Sequence, residues 1–133
     1  MIGPPKSGKS FYVEQHQHEL TKDPVVITSP DSVGLYDPSV FVQFSKAIRE
    51  QRDIIIDLTN LTESSRARFF YQLPDEYDAT AVIMAVDIDV LFDRLRKARG
   101  DEDNLHTVRK VKQMMKLYQA PSFEDFDRIL HVL

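Results

Sequence analysis

The sequence predicts an α/β fold, a parallel sheet between two helical layers in a three-layer αβα arrangement. Three observations predict it. Apolar, β-branched runs recur at 25–27, 53–57 and 79–86, with a short closing run at 128–133. Between them lie stretches whose apolar residues follow helical spacing. Strands joined by helical crossovers must run parallel, and such sheets are covered on both faces. The 133 residues suffice for a single domain, 1–133.

The first element follows Gly3-Pro4-Pro5-Lys6-Ser7-Gly8-Lys9-Ser10, which matches G-x-x-x-x-G-K-[ST] at every fixed position. In this phosphate loop, or P-loop, the glycines let backbone N–H groups turn inward around phosphate oxygens. Lys9 reaches the β and γ phosphates, and the Ser10 hydroxyl ligates magnesium. A helix from about Lys9 through Phe11 to Leu20 points its positive end at the same anion. The sequence therefore predicts nucleotide contacts along Gly3, Pro4, Pro5, Lys6, Ser7, Gly8, Lys9, Ser10 and Phe11. A P-loop ordinarily follows a buried strand, yet only Met1 and Ile2 precede Gly3, so the first strand is expected to be nearly absent. This is read as truncation, a misplaced start codon or loss of leading residues. The expected cost is several kcal/mol, at roughly 1.5 to 3 kcal/mol per buried aliphatic side chain.

Val25-Val26-Ile27 reads as a strand that ends where Ser29-Pro30-Asp31 begins. The spacing of Val40, Phe41, Phe44, Ala47 and Ile48 predicts a helix over 39–51. Asp53 to Asp57 is a strand with an acid at its carboxyl end, followed by Thr59-Asn60 and a helix over about 63–73. After the strand at 79–86, Asp87 or Asp89 is expected to cap a helix over 90–99, which Gly100 ends. Residues 100–104 are expected to form a polar hinge, followed by a helix over 105–119 and a last strand over 128–133.

Ligands of parallel α/β sheets lie at the carboxyl ends of the strands, so the P-loop, Asp31 and Asp57 should share one cleft. A P-loop alone fits an ATPase, a GTPase, a kinase or a nucleotide binder. Asp57 behind Ile54-Ile55-Ile56 has the apolar-run-then-acid form that holds magnesium in many P-loop proteins. Asp31 is then free to accept the proton of an attacking hydroxyl, with a turn or helix cap as the alternative role. Residues 90–118 hold 8 basic and 4 acidic residues. Arg94, Arg96, Lys97 and Arg99 suit a lid over about 94–108 that brings charge onto a transferring phosphate, or else a solvated helix face.

The chain resembles the polynucleotide 5′-hydroxyl kinases and related small P-loop kinases over nearly its whole length. The resemblance rests on Gly3 to Ser10, on Ser29-Pro30-Asp31, on Ile56-Asp57-Leu58-Thr59-Asn60-Leu61 with Arg66 behind, on Arg99-Gly100 and on Pro121 to Asp127. It implies a P-loop NTPase fold and transfer of the γ-phosphoryl of ATP, with magnesium, to a hydroxyl, foremost the 5′-hydroxyl of a nucleic-acid end. Asp31 would be the general base, Lys9 and Ser10 would bind phosphate and metal, Asp57 would position metal or acceptor, and Arg96 and Arg99 would reach the donor phosphates. Members acting on nucleic-acid ends commonly carry an Arg where this chain has Gly34, which keeps open a small acceptor such as a nucleoside, sugar or antibiotic, or an inactive ATP-binding module. Lys6 replaces a glycine frequent in the loop. ATP rather than GTP is expected from the kinase relatives, and no guanine-selecting Asn/Thr-Lys-x-Asp element is present.

Lys and Arg number 17 against 21 Asp and Glu, which excludes a constitutive nucleic-acid coat and makes any such contact local. The absence of cysteine excludes a disulfide framework, a thiolate zinc site and a cysteine nucleophile. No apolar run reaches membrane-spanning length and no signal opens the chain, so a cytoplasmic protein without a membrane partner is expected. His16 and His18 fall on different helix faces and do not suit one metal. Met114, Met115, Phe69, Phe70, Phe123 and Phe126 read as core residues.

Overall fold

The computed structural model describes residues 1–4, 7–28, 38–84, 88–98 and 101–132, apart from the side chains of Ile88, Phe92, Leu95, Arg96, Ala98 and residues 101–108. Its elements run α1 (Lys9–Leu20), β1 (Val25–Thr28), α2 (Pro38–Arg49), β2 (Ile54–Asp57), α3 (Glu63–Phe70), β3 (Thr80–Met84), α4 (Ile88–Ala98), α5 (Asp101–Lys116) and β4 (Arg128–Val132). The fold is mixed α/β, and its strands pair in parallel, β1 with β2 and β3 with β4.

The register is Val25 opposite Ile54 through Thr28 opposite Asp57 in the first pair, and Thr80 opposite Arg128 through Met84 opposite Val132 in the second. Between the pairs runs the chain's opening stretch. Ile2 forms a parallel bridge with Ile83, Ile2 N–H donates to Val82 O at 2.8 Å, and Met84 N–H donates to Ile2 O at 2.9 Å. On its other side the Met1 amine donates to Ile56 O at 3.0 Å, and Gly3 N–H to Thr59 O at 3.0 Å. The opening residues thus form an isolated parallel bridge that links β2 to β3.

Alternation along the strands sends side chains into helices on both faces. Ile55 and Val82 pack with Met1 and with Val13, Tyr12 and Leu20 of α1. Ile54 and Ile56 turn the other way and pack with Ile27 and with Val40 and Phe44 of α2 and Phe69 of α3. Ile2 and Ala81 join Phe70, Met114, Tyr118 and Phe126. Helix α2 forms because Val40, Phe44 and Ala47, spaced four and three apart, bury one stripe. Helix α3 starts at a capping box in which Thr62 Oγ1 accepts Ser65 N–H at 3.1 Å.

Four expectations need correction. Residues 101–104 are the first turn of α5 rather than a hinge, a place in a helix where acidic residues are favoured in sequence. Asp89 lies inside the first turn of α4 rather than capping it. Helix α3 stops at Phe70, short of residue 73. Phe123 is 75% exposed while Phe126 is buried against Phe70, because the turn at 123–125 directs only one of the two rings inward. Among the described residues no helix is long and apolar enough to cross a membrane.

Candidate functional site

The carboxyl end of β2 and the Met1–Ile2 stretch meet the start of α1, and there the chain gathers buried polar groups. Gly8 precedes α1 with φ 95° and ψ 13°, a backbone conformation that L side chains rarely adopt. That turn brings Ser7 N–H to Pro4 O at 3.2 Å and starts the helix with no side-chain cap. Among the described residues no side chain caps the first N–H groups of α1, the part of a helix that suits an anion. Gly3 is needed for a different reason. A Cβ there would stand 2.8 Å from Ser7 Oγ and 3.1 Å from Met84 Cβ, so the loop lies tight against β3.

Lys9 is buried, and its ammonium donates to Pro4 O at 2.8 Å. Burial pulls its pKa from 10.5 down to about 8, opposed by the charge of Asp57. Ser10 Oγ donates to Asp57 Oδ2 at 2.7 Å, across 47 residues of sequence. Asp57 is the last residue of β2 and is buried, and among the described residues its Oδ1 has no hydrogen-bond partner, like the buried Ser7 Oγ. Buried polar atoms ordinarily find partners. An ammonium resting on its own loop's carbonyl, a hydroxyl paired with a strand-end carboxylate and two orphaned oxygens form a polar nest with unspent capacity.

The residues present fit a magnesium–nucleotide pair: the hydroxyl and carboxylate are hard oxygen donors side by side, with a cation and free N–H groups next to them. Among the described residues no group of three or more His, Cys, Asp or Glu could hold a metal. A metal at Ser10 and Asp57 would complete its shell with phosphate oxygens and water, as magnesium commonly does.

The structure thus brings together Gly3, Pro4, Ser7, Gly8, Lys9, Ser10 and Asp57. Phe11, at the start of α1, is 69% exposed. Pro5, Lys6, Asp31, Gly34, Asp87, Arg99 and Gly100 lie outside the described residues, as does the side chain of Arg96. The proposed lid segment, 94–108, covers the end of α4 and the first half of α5. Lys97 pairs with Asp93 at 3.4 Å on an exposed face. His16 bonds Glu19 at 2.8 Å and His18 is exposed, in keeping with surface roles.

The sequence did not disclose what supports the loop from behind. Asn60 takes the left-handed conformation, φ 47°, and its Nδ2 donates to Met1 O at 3.0 Å. Arg66 is buried and donates from Nη1 to Asn60 O at 2.9 Å and from Nη2 to Gln119 O at 2.8 Å. Burial lowers the guanidinium's pKa, opposed by Glu63, Tyr118 and Asp125. The available signal was an Asn three residues past the end of a strand, since Asn tolerates left-handed backbone better than most residues.

No protein-family model matches the chain. Among curated proteins it is 28% identical over 138 residues to transcription factor bHLH140 of Arabidopsis thaliana, a match covering 98% of this chain and 15% of that protein. The chain therefore spans a small fraction of the relative it matches.

Proposed function

We propose that the chain is a P-loop kinase of the polynucleotide 5′-hydroxyl kinase type, which uses magnesium to transfer the γ-phosphoryl of ATP to a hydroxyl, foremost the 5′-hydroxyl of a nucleic-acid end. One observation carries this reading: Ser10 of the octapeptide is hydrogen-bonded at 2.7 Å to Asp57 at the end of the neighbouring strand, beside the buried Lys9. The strand sequence β1, β2, Met1–Ile2, β3, β4 also places the octapeptide at the centre of a parallel arrangement, where α/β proteins bind ligands.

In this reading Lys9 leaves Pro4 O for the terminal phosphates, and the N–H groups opening α1 take up phosphate oxygens. Ser10 and Asp57 orient the metal, which supplies neutralisation of charge developing on the transferred group. Asp31 takes the acceptor's proton and Arg99 contacts the donor phosphates; these two roles come from the resemblance. Positioning and charge stabilisation then account for most of the rate.

The test is transfer of label from γ-labelled ATP to a 5′-hydroxyl oligonucleotide, run beside a panel of nucleosides, sugars and aminoglycosides. Labelling of the oligonucleotide, lost in Lys9→Ala and in Asp31→Asn while both variants keep the native circular dichroism spectrum, is the expected result. Labelling of a small alcohol alone would move the acceptor to the small-molecule class. Gly34, at the position where members acting on nucleic-acid ends commonly carry an Arg, favours one second reading, a module that binds ATP without transferring phosphate. Magnesium-dependent ATP binding with no labelled product from any acceptor would select it. Full activity in Lys9→Ala would overturn both readings.

A further inference from the structure

Residues 104–122 contain four basic residues, Arg109, Lys110, Lys112 and Lys116, and no acid, in a chain whose formal charge is −4. All four are exposed, as is Gln113. Helical geometry sets Arg109, Lys112, Gln113 and Lys116 on one stripe of α5, with Lys110 on its flank. Among the described residues Arg109, Lys110 and Lys116 make no ion pair. The opposite side of the helix is spent on the core: Val111 is buried, and Met114 and the following Tyr118 pack against the cluster of Ile2, Leu61 and Phe126. Just past the helix, Gln119 N–H donates to Leu61 O at 2.8 Å and Gln119 O accepts from Arg66 Nη2 at 2.8 Å. Gly3 N–H donates to Thr59 O at 3.0 Å. The stripe and the octapeptide are therefore both moored to the loop that leaves β2 at Asp57.

We propose that the exposed face of α5 carrying Arg109, Lys112 and Lys116 holds the phosphodiester backbone of a nucleic-acid strand whose 5′ end enters the candidate site. The proposal rests on the kinase reading only for the place of that end. From Arg109 to Lys116 the stripe covers about 10 Å along the helix axis, roughly three successive phosphates of one strand. Phosphate contacts of this kind position a strand without reading its sequence, which suits a protein that acts on an end. The acidic balance of the whole chain confines such contact to this face. A lipid surface is a poorer fit, because an interfacial helix needs its apolar stripe for the acyl boundary and here Val111 and Met114 are turned into the core. An acidic protein is a poorer fit as well. Protein interfaces draw most of their energy from aromatic and apolar anchors, and the stripe carries none.

The test is binding of a fluorescent 5′-hydroxyl oligonucleotide of about 12 nucleotides, read by anisotropy without ATP between about 25 and 200 mM potassium chloride. The parent chain is compared with three variants: Arg109→Gln, Lys112→Gln and Lys116→Gln together; Lys112→Arg with Lys116→Arg, which keeps the charge; and Lys22→Gln, Lys46→Gln and Arg49→Gln together, which removes three exposed cations elsewhere. The first variant is expected to bind at least tenfold more weakly at 50 mM salt, with a plot of log affinity against log salt shallower by about 2, while its circular dichroism spectrum stays native. The other two are expected to match the parent. In the transfer assay the first variant should raise KM for the oligonucleotide at least tenfold and leave kcat, and all kinetics toward a nucleoside, unchanged. No binding by the parent at 25 mM salt would overturn the proposal, as would an unchanged slope in the first variant or an equal loss in either of the others. Equal salt-dependent affinity for polyglutamate, or for phosphatidylcholine vesicles with about 30% phosphatidylserine, would overturn the choice of nucleic acid. A parent that binds through the stripe yet labels no acceptor would overturn the kinase reading and leave the stripe standing, whereas labelling with the same KM in the first variant would do the reverse.

Discussion

Acetylating the Met1 amine isolates one charge at the middle of the sheet. In the folded chain that amine is wholly buried, and its pKa falls from 8.0 to about 6. Because this is a base with a lowered folded pKa, the unfolded chain binds a proton between pH 6 and 8 that the folded chain does not. Stability contributed by this group therefore rises with pH across that window. The full penalty is present below pH 6 and gone above pH 8. Two pH units correspond to about 2 to 3 kcal/mol, with a slope of at most about 1.4 kcal/mol per pH unit. Acetylation keeps one N–H for Ile56 O, removes the titration and places its methyl in the adjoining cavity. Urea denaturation of the free and acetylated forms at pH 5.5, 7.0 and 8.5, followed by circular dichroism, measures the difference. The histidines are common to both forms and cancel, while the coupling of the amine to Asp57 and Lys9 is part of the difference measured. The acetylated form should gain about 2 to 3 kcal/mol more at pH 5.5 than at pH 8.5. Parallel pH profiles for the two forms would refute the reasoning.

Removing the Arg66 guanidinium strands the buried carbonyl of Asn60 and the partly buried carbonyl of Gln119. Arg66→Ala should lose about 3 kcal/mol in urea denaturation and Arg66→Lys, which can serve only one of the two carbonyls, an intermediate amount. Gly8→Ala places a side chain at φ 95° and should lower stability by about 1 to 2 kcal/mol. Its melting temperature should also become insensitive to magnesium–ATP, in contrast to the parent chain. Asp57→Asn keeps an acceptor for Ser10 Oγ but drops the carboxylate charge. Titration calorimetry should show nucleotide affinity at least tenfold less dependent on magnesium, with Tm changed by only a few degrees.

How far the sequence could be read depended on how local each physical cause was. The octapeptide was legible because its glycine spacing and lysine act within eight residues. Asp57, closing a run of isoleucines, could be read as sharing the octapeptide's cleft or as a turn former, and its Oδ2 accepts from Ser10 Oγ at 2.7 Å. The strand and helix order followed from periodicity, and α1, β1, α2 and β2 begin within two residues of expectation. The grip of Asn60 on Met1 was not legible, because its partners are 59 residues apart and a single hydrogen bond leaves no periodic trace. Residues 101–104 misled because acidic, polar composition describes a hinge and a helix's first turn equally well. Phe123 and Phe126, three apart, share a helical spacing but sit in a turn, where that spacing does not place both on one face.

Residues 1–3 bond on one side to Ile56 and Thr59 and on the other to Val82 and Met84, then run directly into the octapeptide. The domain therefore resembles an arch whose keystone is also its hand. On the proposed reading, a ligand held by the octapeptide would steady the same residues 1–3 that bond to both strand pairs. Cargo and cohesion are coupled through three residues, so selection for one acts on the other.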